Sequence, residues 1–342
     1  MSGVSAVRAV RAARAVPRRR LALVLTGLGV ALAGAFTVRV LLGDFTITVP
    51  DFVRILAGAD LPGASYILLE SKLPRAVLGV LAGAAFGVGG AIFQCVLRNP
   101  LASPDVLGVG LGASAAAVFA IVTLDRAGPA VSLAAVAGAL AVAVVVRMVA
   151  GDATGHRLVL TGVGLAAALS SLIQYLFTRA DVHDAQLALR WLTGSLNGVD
   201  WPTIRLLAAA LLVLMPPITL LARSMRVAEL GADAATALGV PPRRTDALLA
   251  LAVVLTATAV AAAGPVAFVS LLAGPIARGL NGGRTTLIGA GLVGAVIVVG
   301  ADYAAAYLLG GVDFPVGVVT GALGAPFLLA LVATGRTGRR IA

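Results

Sequence analysis

Residues 74–96 read PRAVLGVLAGAAFGVGGAIFQCV, and this stretch decides the fold class. After Arg75 no charged residue occurs until Arg98. A helix needs about 20 mainly apolar residues to cross the hydrocarbon core of a bilayer. The stretch is therefore predicted to cross a membrane as a single helix.

Similar apolar runs recur along the whole chain of 342 residues, of which 60% are hydrophobic and only 12% charged. A soluble domain is nearer half apolar and a quarter charged, and the mean hydropathy here is +1.03. Runs of spanning length occur at residues 21–42, 74–96, 104–123, 128–149, 157–178, 203–222, 246–264, 266–280, 286–309 and 314–334. The eighth run is short and is interrupted by Gly274 and Pro275. We predict an all-α, polytopic membrane protein with about ten transmembrane helices.

The chain is strongly basic, with a formal net charge of +11 that comes almost wholly from arginine, since Lys72 is the only lysine. If the N-terminus is cytoplasmic, about two thirds of the basic residues fall in cytoplasmic loops and tails. This bias predicts that both termini are cytoplasmic and that the protein lies in the cytoplasmic (inner) membrane. No basic stripe is interleaved with exposed aromatic residues, so no nucleic-acid partner is expected.

Residues 1–20 are predicted to form a basic cytoplasmic tail, and residues 21–342 a single transmembrane domain. The arginines of the tail recur at helical spacing, which fits either a helix on the anionic inner leaflet or an unstructured tail. The apolar run that follows continues for about 22 residues, whereas the apolar region of a secretory signal has only 7–15. An uncleaved first span is therefore expected.

Small residues recur at every fourth position in two spans, at Gly79, Gly83 and Gly87 in the second and at Gly317, Gly321 and Ala325 in the tenth. Such ridges let helix backbones approach closely inside a bilayer, so they predict helix packing rather than a ligand site. Spans 2–5 begin on the predicted outer side, whereas spans 7–10 begin on the inner side. These two groups are predicted to be inverted repeats, an arrangement typical of transporters.

Short motifs follow one another in a fixed order from the second span to the tenth. They are Lys72-Leu73-Pro74-Arg75, residues 83–94 (GAAFGVGGAIFQ), residues 98–105 (RNPLASPD), residues 191–196 (WLTGSL), Leu238-Gly239-Val240, residues 264–269 (GPVAFV), Ala301-Asp302, and residues 314–317 (FPVG) with 324–327 (GAPF). This ordered series closely resembles the permease family of the iron–siderophore, haem and cobalamin importers, the type II ATP-binding-cassette importers. The resemblance covers the chain from the start of the first predicted span to the C-terminus.

The resemblance implies a non-catalytic permease subunit that translocates iron–siderophore chelates, with haem or cobalamin as the alternative cargo. The implied partners are cytoplasmic ATP-binding subunits, an extracytoplasmic substrate-binding protein, the lipid bilayer and a second permease subunit, identical or paralogous. No cofactor and no metal-ligating residue are expected. Cys95 is the single cysteine and lies in an apolar span, so it cannot form an intrachain disulfide.

The longest predicted cytoplasmic loop spans residues 223–245 and contains short helical stretches ended by Gly239 and Pro241. By resemblance this loop forms the coupling helices that fit a groove on the ATPase dimer, a known mode of helix recognition. The candidate coupling residues are Glu229, Leu230, Gly231, Asp233, Leu238 and Gly239. Ala232 stands where the family usually carries an acidic residue. The alternative is an ordinary solvated loop.

Two basic residues, Lys72 and Arg75, open the second span on the predicted outer side. By resemblance they occupy positions that dock the substrate-binding protein through its glutamates, where complementary charge would speed encounter. The alternative is that they anchor the helix end at the membrane interface. Ala306 stands where the family often has another docking arginine, which favours a nonidentical partner subunit. Asp302 is open to a structural pairing, a capping or a functional role.

The candidate pathway or gate residues are polar groups in or beside predicted spans: Gln94, Asn99, Pro100, Ser170, Ser171, Gln174 and Tyr175. Pro100 biases Asn99 away from helix, so Asn99 is expected to cap backbone groups in a tight turn. Gln94 is expected either to bond between helices or to line the pathway. By resemblance the fifth span lines the pathway at the dimer centre, with hydrogen bonding between helices as the alternative for its polar residues.

Two other functional classes fit the residues less well. An ion-coupled secondary transporter needs carboxylates or histidines at mid-membrane, and none is clearly placed there. An intramembrane enzyme needs a nucleophile beside a base, whereas His156 and His183 lie in or beside loops on opposite sides. A Walker A loop ends in Gly-Lys-Ser/Thr, but the only lysine follows Ser71. Hydrolysis of ATP is therefore expected on another chain, and no catalytic residue is predicted.

Overall fold

The structure is a computed structural model that describes residues 3–151, 156–309 and 313–333. Within these ranges the regular elements are helical and no strand occurs. The α-helices are α1 (Gly3–Leu41), α2 (Val49–Leu56), α3 (Ala64–Tyr66), α4 (Leu73–Val96), α5 (Val109–Val122), α6 (Pro129–Ala150), α7 (His156–Phe177), α8 (Val182–Thr193), α9 (Trp201–Ala228), α10 (Ala232–Ala237), α11 (Pro242–Ala263), α12 (Val269–Leu280), α13 (Leu287–Tyr307) and α14 (Val316–Ala333). A π-helical turn, Ile67–Lys72, joins α3 to α4.

Each of the ten predicted spans coincides with an apolar helix. Seven helical segments are long and apolar enough to cross a membrane, and they fall in α1, α3–α4, α6, α7, α9, α11 and α13. The remaining three, α5, α12 and α14, are apolar but shorter. The eighth span is the shortest of the ten, at 12 residues. The prediction of an all-α, polytopic membrane fold is confirmed.

The third span begins later than the sequence pattern indicates. Residues 104–108 are not part of α5, because Pro104–Leu107 forms a 3₁₀ turn and Gly108 takes a left-handed conformation with φ of 80°. A left-handed glycine ends one helical turn and redirects the chain. The predicted start at residue 104 is therefore wrong by about one helical turn.

Two helices lie outside the predicted spans. Helix α2 is short and begins at a Thr48 cap, whose hydroxyl accepts a hydrogen bond from the Asp51 backbone N–H at 3.3 Å. Helix α8 follows α7 after a turn at residues 178–181 and ends at Gly194, where φ is 67°. Neither helix is long enough to span a bilayer, so a search for long apolar runs detects neither of them.

Most of the predicted N-terminal tail is continuous with the first span, because α1 begins at Gly3. This agrees with the helical alternative for residues 3–20, while their position relative to a membrane stays a prediction. The basic residues Arg336, Arg339 and Arg340, which support a cytoplasmic C-terminus, lie outside the described residues.

Helix α4 is the centre of the fold, and it packs against α9, α11, α12 and α13. Its small residues permit the closest of these contacts. A methyl group on Gly83 would collide with the carbonyl of Gly294, and one on Gly87 with the carbonyl of Ala290. The ridge predicted in the second span is thus confirmed as a packing surface for α13. In the ridge of the tenth span Gly317 makes such an approach, to the carbonyl of Thr193, whereas Gly321 does not.

The helix pairs of the first predicted repeat recur in the second. Helix α5 packs on α6 and α7, and in the same way α12 packs on α13 and α14. Between the groups, α4 packs on α12 and α13, while α11 packs on α5 and α6. This reciprocal pattern is what two copies of one unit produce, and it agrees with the predicted repeats. Their inverted direction across a membrane stays a prediction.

Candidate functional site

The turn after α4 opens the predicted cytoplasmic face. Its chain reversal places Arg98 in the left-handed region with φ of 51°, a conformation uncommon for a residue with a side chain. The backbone N–H of Asn99 donates to the carbonyl of Gln94, and the Asn99 side-chain oxygen accepts from the Leu101 N–H at 2.9 Å. The expected capping role of Asn99 is therefore confirmed. Its side chain is exposed, and Pro100 follows it half-buried.

The coupling segment, defined as residues 229–239, follows α9 and contains the short helix α10. Two glycines with positive φ lie on either side of α10, Gly231 at 109° and Gly239 at 82°. Leu230 and Leu238 flank α10, and each is 63% exposed. Asp233, in the first turn of α10, is exposed as well. The coupling segment therefore carries two leucine side chains that are exposed on the surface of the chain.

Glu229 has a different environment from the rest of the coupling segment. Its carboxylate oxygen Oε1 accepts a hydrogen bond from the Thr285 hydroxyl at 2.8 Å and from the Cys95 thiol at 3.3 Å. Cys95 lies near the end of α4, and Thr285 lies in the loop between α12 and α13. Glu229 therefore ties the coupling segment to two other parts of the fold.

Arg98 also reaches the coupling segment. A methyl group on Gly231 would lie 3.2 Å from the Arg98 guanidinium, so this side chain packs over the start of α10. Cys95, Arg98 and Thr285 are not among the site residues predicted from the sequence. Arg98 belongs to the motif at residues 98–105 and precedes Asn99, so that motif could have indicated it. Nothing in the sequence links Thr285 to Glu229.

Gln94 is buried and joins α4 to the first turn of α12. Its amide nitrogen donates to the carbonyl of Leu271 at 3.0 Å and to that of Ser270 at 3.4 Å. The same side chain occupies the space beside Gly274, where a methyl group would overlap its oxygen. The geometry favours bonding between helices, one of the two expected roles of Gln94.

An ion cluster, defined as Arg39, Arg75, Asp302 and Asp313, lies at the opposite end of α4. Asp302 on α13 accepts from the Nε atom of Arg39 at 2.5 Å and from that of Arg75 at 2.9 Å. Arg75 also forms a two-point contact with Asp313, at 2.9 and 3.1 Å. Two positive and two negative groups balance, and their hydrogen bonds offset part of the cost of burying them. The Arg39 Nη1 atom is buried without a partner among the described residues. The cluster identifies Asp302 as a structural pairing residue.

Asp313 is the member of the cluster that reaches the surface, with 40% of its side chain exposed. It accepts a further hydrogen bond from the Asn197 amide at 2.9 Å, which links it to the turn between α8 and α9. The hydrogen bonds from Arg75 hold the pKa of the Asp313 carboxyl below its ordinary value. Asp313 was not selected from the sequence, because its partner Arg75 lies 238 residues away.

Both predicted docking residues are held inside the fold. The Lys72 ammonium donates to the backbone carbonyls of Leu42 at 2.8 Å and Phe45 at 2.6 Å, and the side chain is buried. Arg75 is buried in the ion cluster. These contacts agree with the alternative of anchoring a helix end, and the docking role of Lys72 and Arg75 stays a prediction.

The polar residues of α7 lie on an open surface. Ser171, Gln174 and Tyr175 are exposed, while Ser170 is half-buried. The Ser171 hydroxyl donates to the carbonyl of Ala167 within the helix, at 3.1 Å, and the Arg179 guanidinium lies 5.5 Å from the Tyr175 ring centre. Within the described residues α7 packs on α5, α6 and the 3₁₀ turn Pro104–Leu107, and its exposed polar face is available to another subunit or to lipid.

Comparison with known proteins places this arrangement in a family. The profile described as the FecCD transport family matches residues 31–334. The chain is 37% identical over 260 residues to the ferric enterobactin transport system permease protein FepG of Escherichia coli (strain K12), covering 75% of this chain and 79% of the relative. It is 39% identical over 299 residues to the achromobactin transport system permease protein CbrC of Dickeya dadantii (strain 3937), covering 85% of each.

Among solved structures, an inward-facing conformation of a metal-chelate type ABC transporter has a similar fold. The TM-score is 0.78 at 23% sequence identity, and the alignment covers 91% of this chain and 98% of the other. The family profile extends from α1 to α14, and the relatives align over three quarters or more of the chain. The chain belongs to the FecCD transport family.

Proposed function

We propose that this chain is the membrane-spanning permease subunit of an ATP-driven importer that carries ferric siderophore chelates across the cytoplasmic membrane. The main support for the proposal is the family match over residues 31–334, together with the similarity to relatives named for ferric enterobactin and achromobactin transport. The ten apolar helices of the fold supply a membrane-spanning unit of the required size.

The exposed coupling segment supports a cytoplasmic ATPase partner. Leu230 and Leu238 would enter an apolar groove on that partner, and burial of two leucines supplies a hydrophobic contact of about 2 kcal/mol each. Motion of the docked α10 then reaches α4 and the α12–α13 loop through Glu229 and its bonds to Cys95 and Thr285. In this role Glu229 transmits movement inside the permease, whereas the leucines contact the ATPase.

The open face of α7 supports a second permease subunit. Two copies of the face, or this face and that of a paralogue, would enclose a pathway lined by Ser171, Gln174 and Tyr175. Hydroxyl, amide and phenol groups can hydrogen-bond a hydrated chelate without fixing it through a strong charge. Alternating access then depends on movement of the two subunits relative to each other.

The ion cluster supports a docking surface for a substrate-binding protein on the opposite side of the membrane. Asp313 reaches this surface, and Arg75 lies directly behind it. A glutamate from the binding protein could exchange with Asp313 for part of the Arg75 guanidinium, because a guanidinium has five N–H donors. Cytoplasmic termini and location in the inner membrane complete the proposed orientation.

The test is uptake of radiolabelled ferric siderophores, haem and cobalamin by cells with and without this gene. We expect loss of uptake of a ferric siderophore and its recovery when the gene is returned. Loss of haem or cobalamin uptake instead would keep the importer and change its cargo. Unchanged uptake of all three, in cells that lack another permease of this family, would contradict the proposal.

A second experiment separates an ATP-driven importer from an ion-coupled transporter. Proteoliposomes that contain the purified permease with its ATPase subunits should accumulate the chelate only when ATP is present on the ATPase side. Transport that persists without the ATPase and follows an imposed proton or sodium gradient would favour the secondary transporter.

A further inference from the structure

A cavity of about 730 Å³ lies between α6, α8, α9 and α11, away from the coupling segment. One of its lining residues, Asn197, also donates a hydrogen bond to Asp313 of the ion cluster. Its lining follows residues 129–136 of α6, 202–210 of α9 and 258–264 at the end of α11. At 1.5 Å per residue these stretches measure roughly 9–12 Å along the helices. The cavity therefore extends from the helix ends into the predicted membrane region.

The mouth of the cavity opens on an apolar surface. Leu133 of α6 and Leu206 of α9 both line the cavity, and they are 72% and 75% exposed. Further along α9, Leu212 and Val213 are exposed on the same helix. In the most apolar 18-residue stretch of each helix, only 28% of α6 and 17% of α9 is buried inside the fold. Both helices are nevertheless long enough to span a bilayer. Such an apolar surface is suited to contact with lipid in a membrane-spanning fold, because lipid tails are as apolar as leucine.

Two arginines mark the end of the cavity nearest the loops. Arg126, in the turn between α5 and α6, and Arg190, near the end of α8, both line the cavity and are exposed. Within the described part of the chain neither guanidinium has a hydrogen-bond or ion-pair partner. The acidic lining residue, Asp200, is engaged at the start of α9, where its carboxylate accepts the Thr203 backbone N–H at 3.1 Å.

We propose that this cavity, the α6–α9 groove, binds a phospholipid with an anionic headgroup. One acyl chain lies between α6 and α9, and the headgroup phosphate lies against Arg126 and Arg190. The groove combines apolar walls with basic groups at the helix ends on the predicted outer side, and arginine pairs strongly with a phosphate group. The lining also includes Ser132, Asn197 and Thr258, but each already donates a hydrogen bond within the chain, to Ala261, Asp313 and Leu255. A hydrated chelate would therefore find few free polar partners, whereas polar ligands need several.

The test uses Trp191, which lines the groove and is one of two tryptophans in the chain. Trp201 does not line it, and its indole N–H donates to the carbonyl of Leu69 at 2.9 Å. Trp201→Phe leaves Trp191 as the sole indole reporter. The purified variant is titrated with brominated phosphatidylglycerol or brominated phosphatidylcholine, and quenching of its fluorescence is measured.

We expect phosphatidylglycerol to quench Trp191 at a lower mole fraction than phosphatidylcholine does. Replacing Arg126 or Arg190 by Gln should raise the half-quenching mole fraction of phosphatidylglycerol by about fivefold per arginine. Quenching by phosphatidylcholine should not change. Arg205→Gln is the matched control, because Arg205 is an exposed arginine of α9 outside the groove lining.

Should Trp201→Phe fail to fold, the wild type is compared with Trp191→Phe, which must lack the phosphatidylglycerol-specific part of the quenching. Equal quenching by the two lipids would overturn the proposal. So would a preference for phosphatidylglycerol that survives in the Arg126→Gln/Arg190→Gln variant, or release of the brominated lipid by a ferric chelate. The experiment measures binding alone, so its result is independent of the transported cargo.

Discussion

The two ends of α4 are built from opposite kinds of contact. At one end, Arg75 meets Asp302 and Asp313 in a cluster where charges are buried and mutually bonded. At the other end, the side chains of Leu230 and Leu238 are exposed, so the rest of the chain does not bury their apolar surface. Among the described residues, the charges at the first end are paired inside one chain, whereas the two leucines at the second end stay mostly exposed. The buried charges therefore contribute to internal structure, and the exposed leucines are the predicted contact with the ATPase subunits.

The largest expected effect comes from breaking the ion cluster. Asp302→Asn removes the carboxylate shared by Arg39 and Arg75 and leaves buried positive charge without compensation. The free energy of unfolding should fall by about 3–5 kcal/mol, measured as a lower thermal midpoint of the purified protein in detergent. Asp51→Asn is the control, because the Asp51–Arg54 pair is exposed and long at 3.9 Å. Equal midpoints for the two variants would contradict the structural role of the cluster.

The next effect is expected at the coupling segment, on binding rather than on folding. Leu238→Asp should weaken association with the ATPase subunits by about 2 kcal/mol or more, roughly thirtyfold, since buried anchors dominate interfaces. Its thermal midpoint should match the wild type. Leu124→Asp is the control, because Leu124 is 52% exposed in the turn after α5, on the predicted opposite side. If Leu238→Asp still binds the ATPase subunits as the wild type does, α10 is not part of the interface.

A smaller effect is expected where the coupling segment meets the core. Glu229→Ala removes a charge-assisted acceptor worth about 1.5 kcal/mol, and it should lower the amount of chelate transported per ATP hydrolysed. Glu229→Gln keeps an oxygen acceptor and should restore most of that ratio. Thr285→Val should reproduce the defect, and the double variant should be no worse than either single one. Additive defects would show that Glu229 acts independently of Thr285.

The smallest effect is expected from the exposed edge of the cluster. The pKa of Asp313 is lowered in the folded chain, so its ionised form stabilises the fold above the ordinary aspartate pKa of about 3.9. That contribution is lost as the pH falls through the lowered pKa. The thermal midpoint of Asp313→Asn should therefore be below the wild type at pH 7 and should converge with it in acid. A difference that persists unchanged to pH 2 would exclude titration of Asp313 as its cause.

Several features of the site could be predicted because their causes are local. The Asn99 cap follows from the proline after it, and the packing ridge at Gly83 and Gly87 follows from four-residue spacing. The coupling segment was found by motif, and its exposed leucines agree with that prediction. By contrast, the engagement of Glu229 with Thr285 joins residues 56 positions apart, and no local pattern indicates it.

The sequence by itself determined the fold class, the ten apolar helices and the family, because hydropathy, helix length and ordered motifs are properties of the chain read in one direction. The tertiary structure alone decided the partners of the charged residues. Arg39 and Asp302 are 263 residues apart, and Lys72 finds its acceptors on backbone carbonyls near residues 42–45. A charge is stabilised by whichever groups surround it in space, so its role cannot be read from its sequence neighbours.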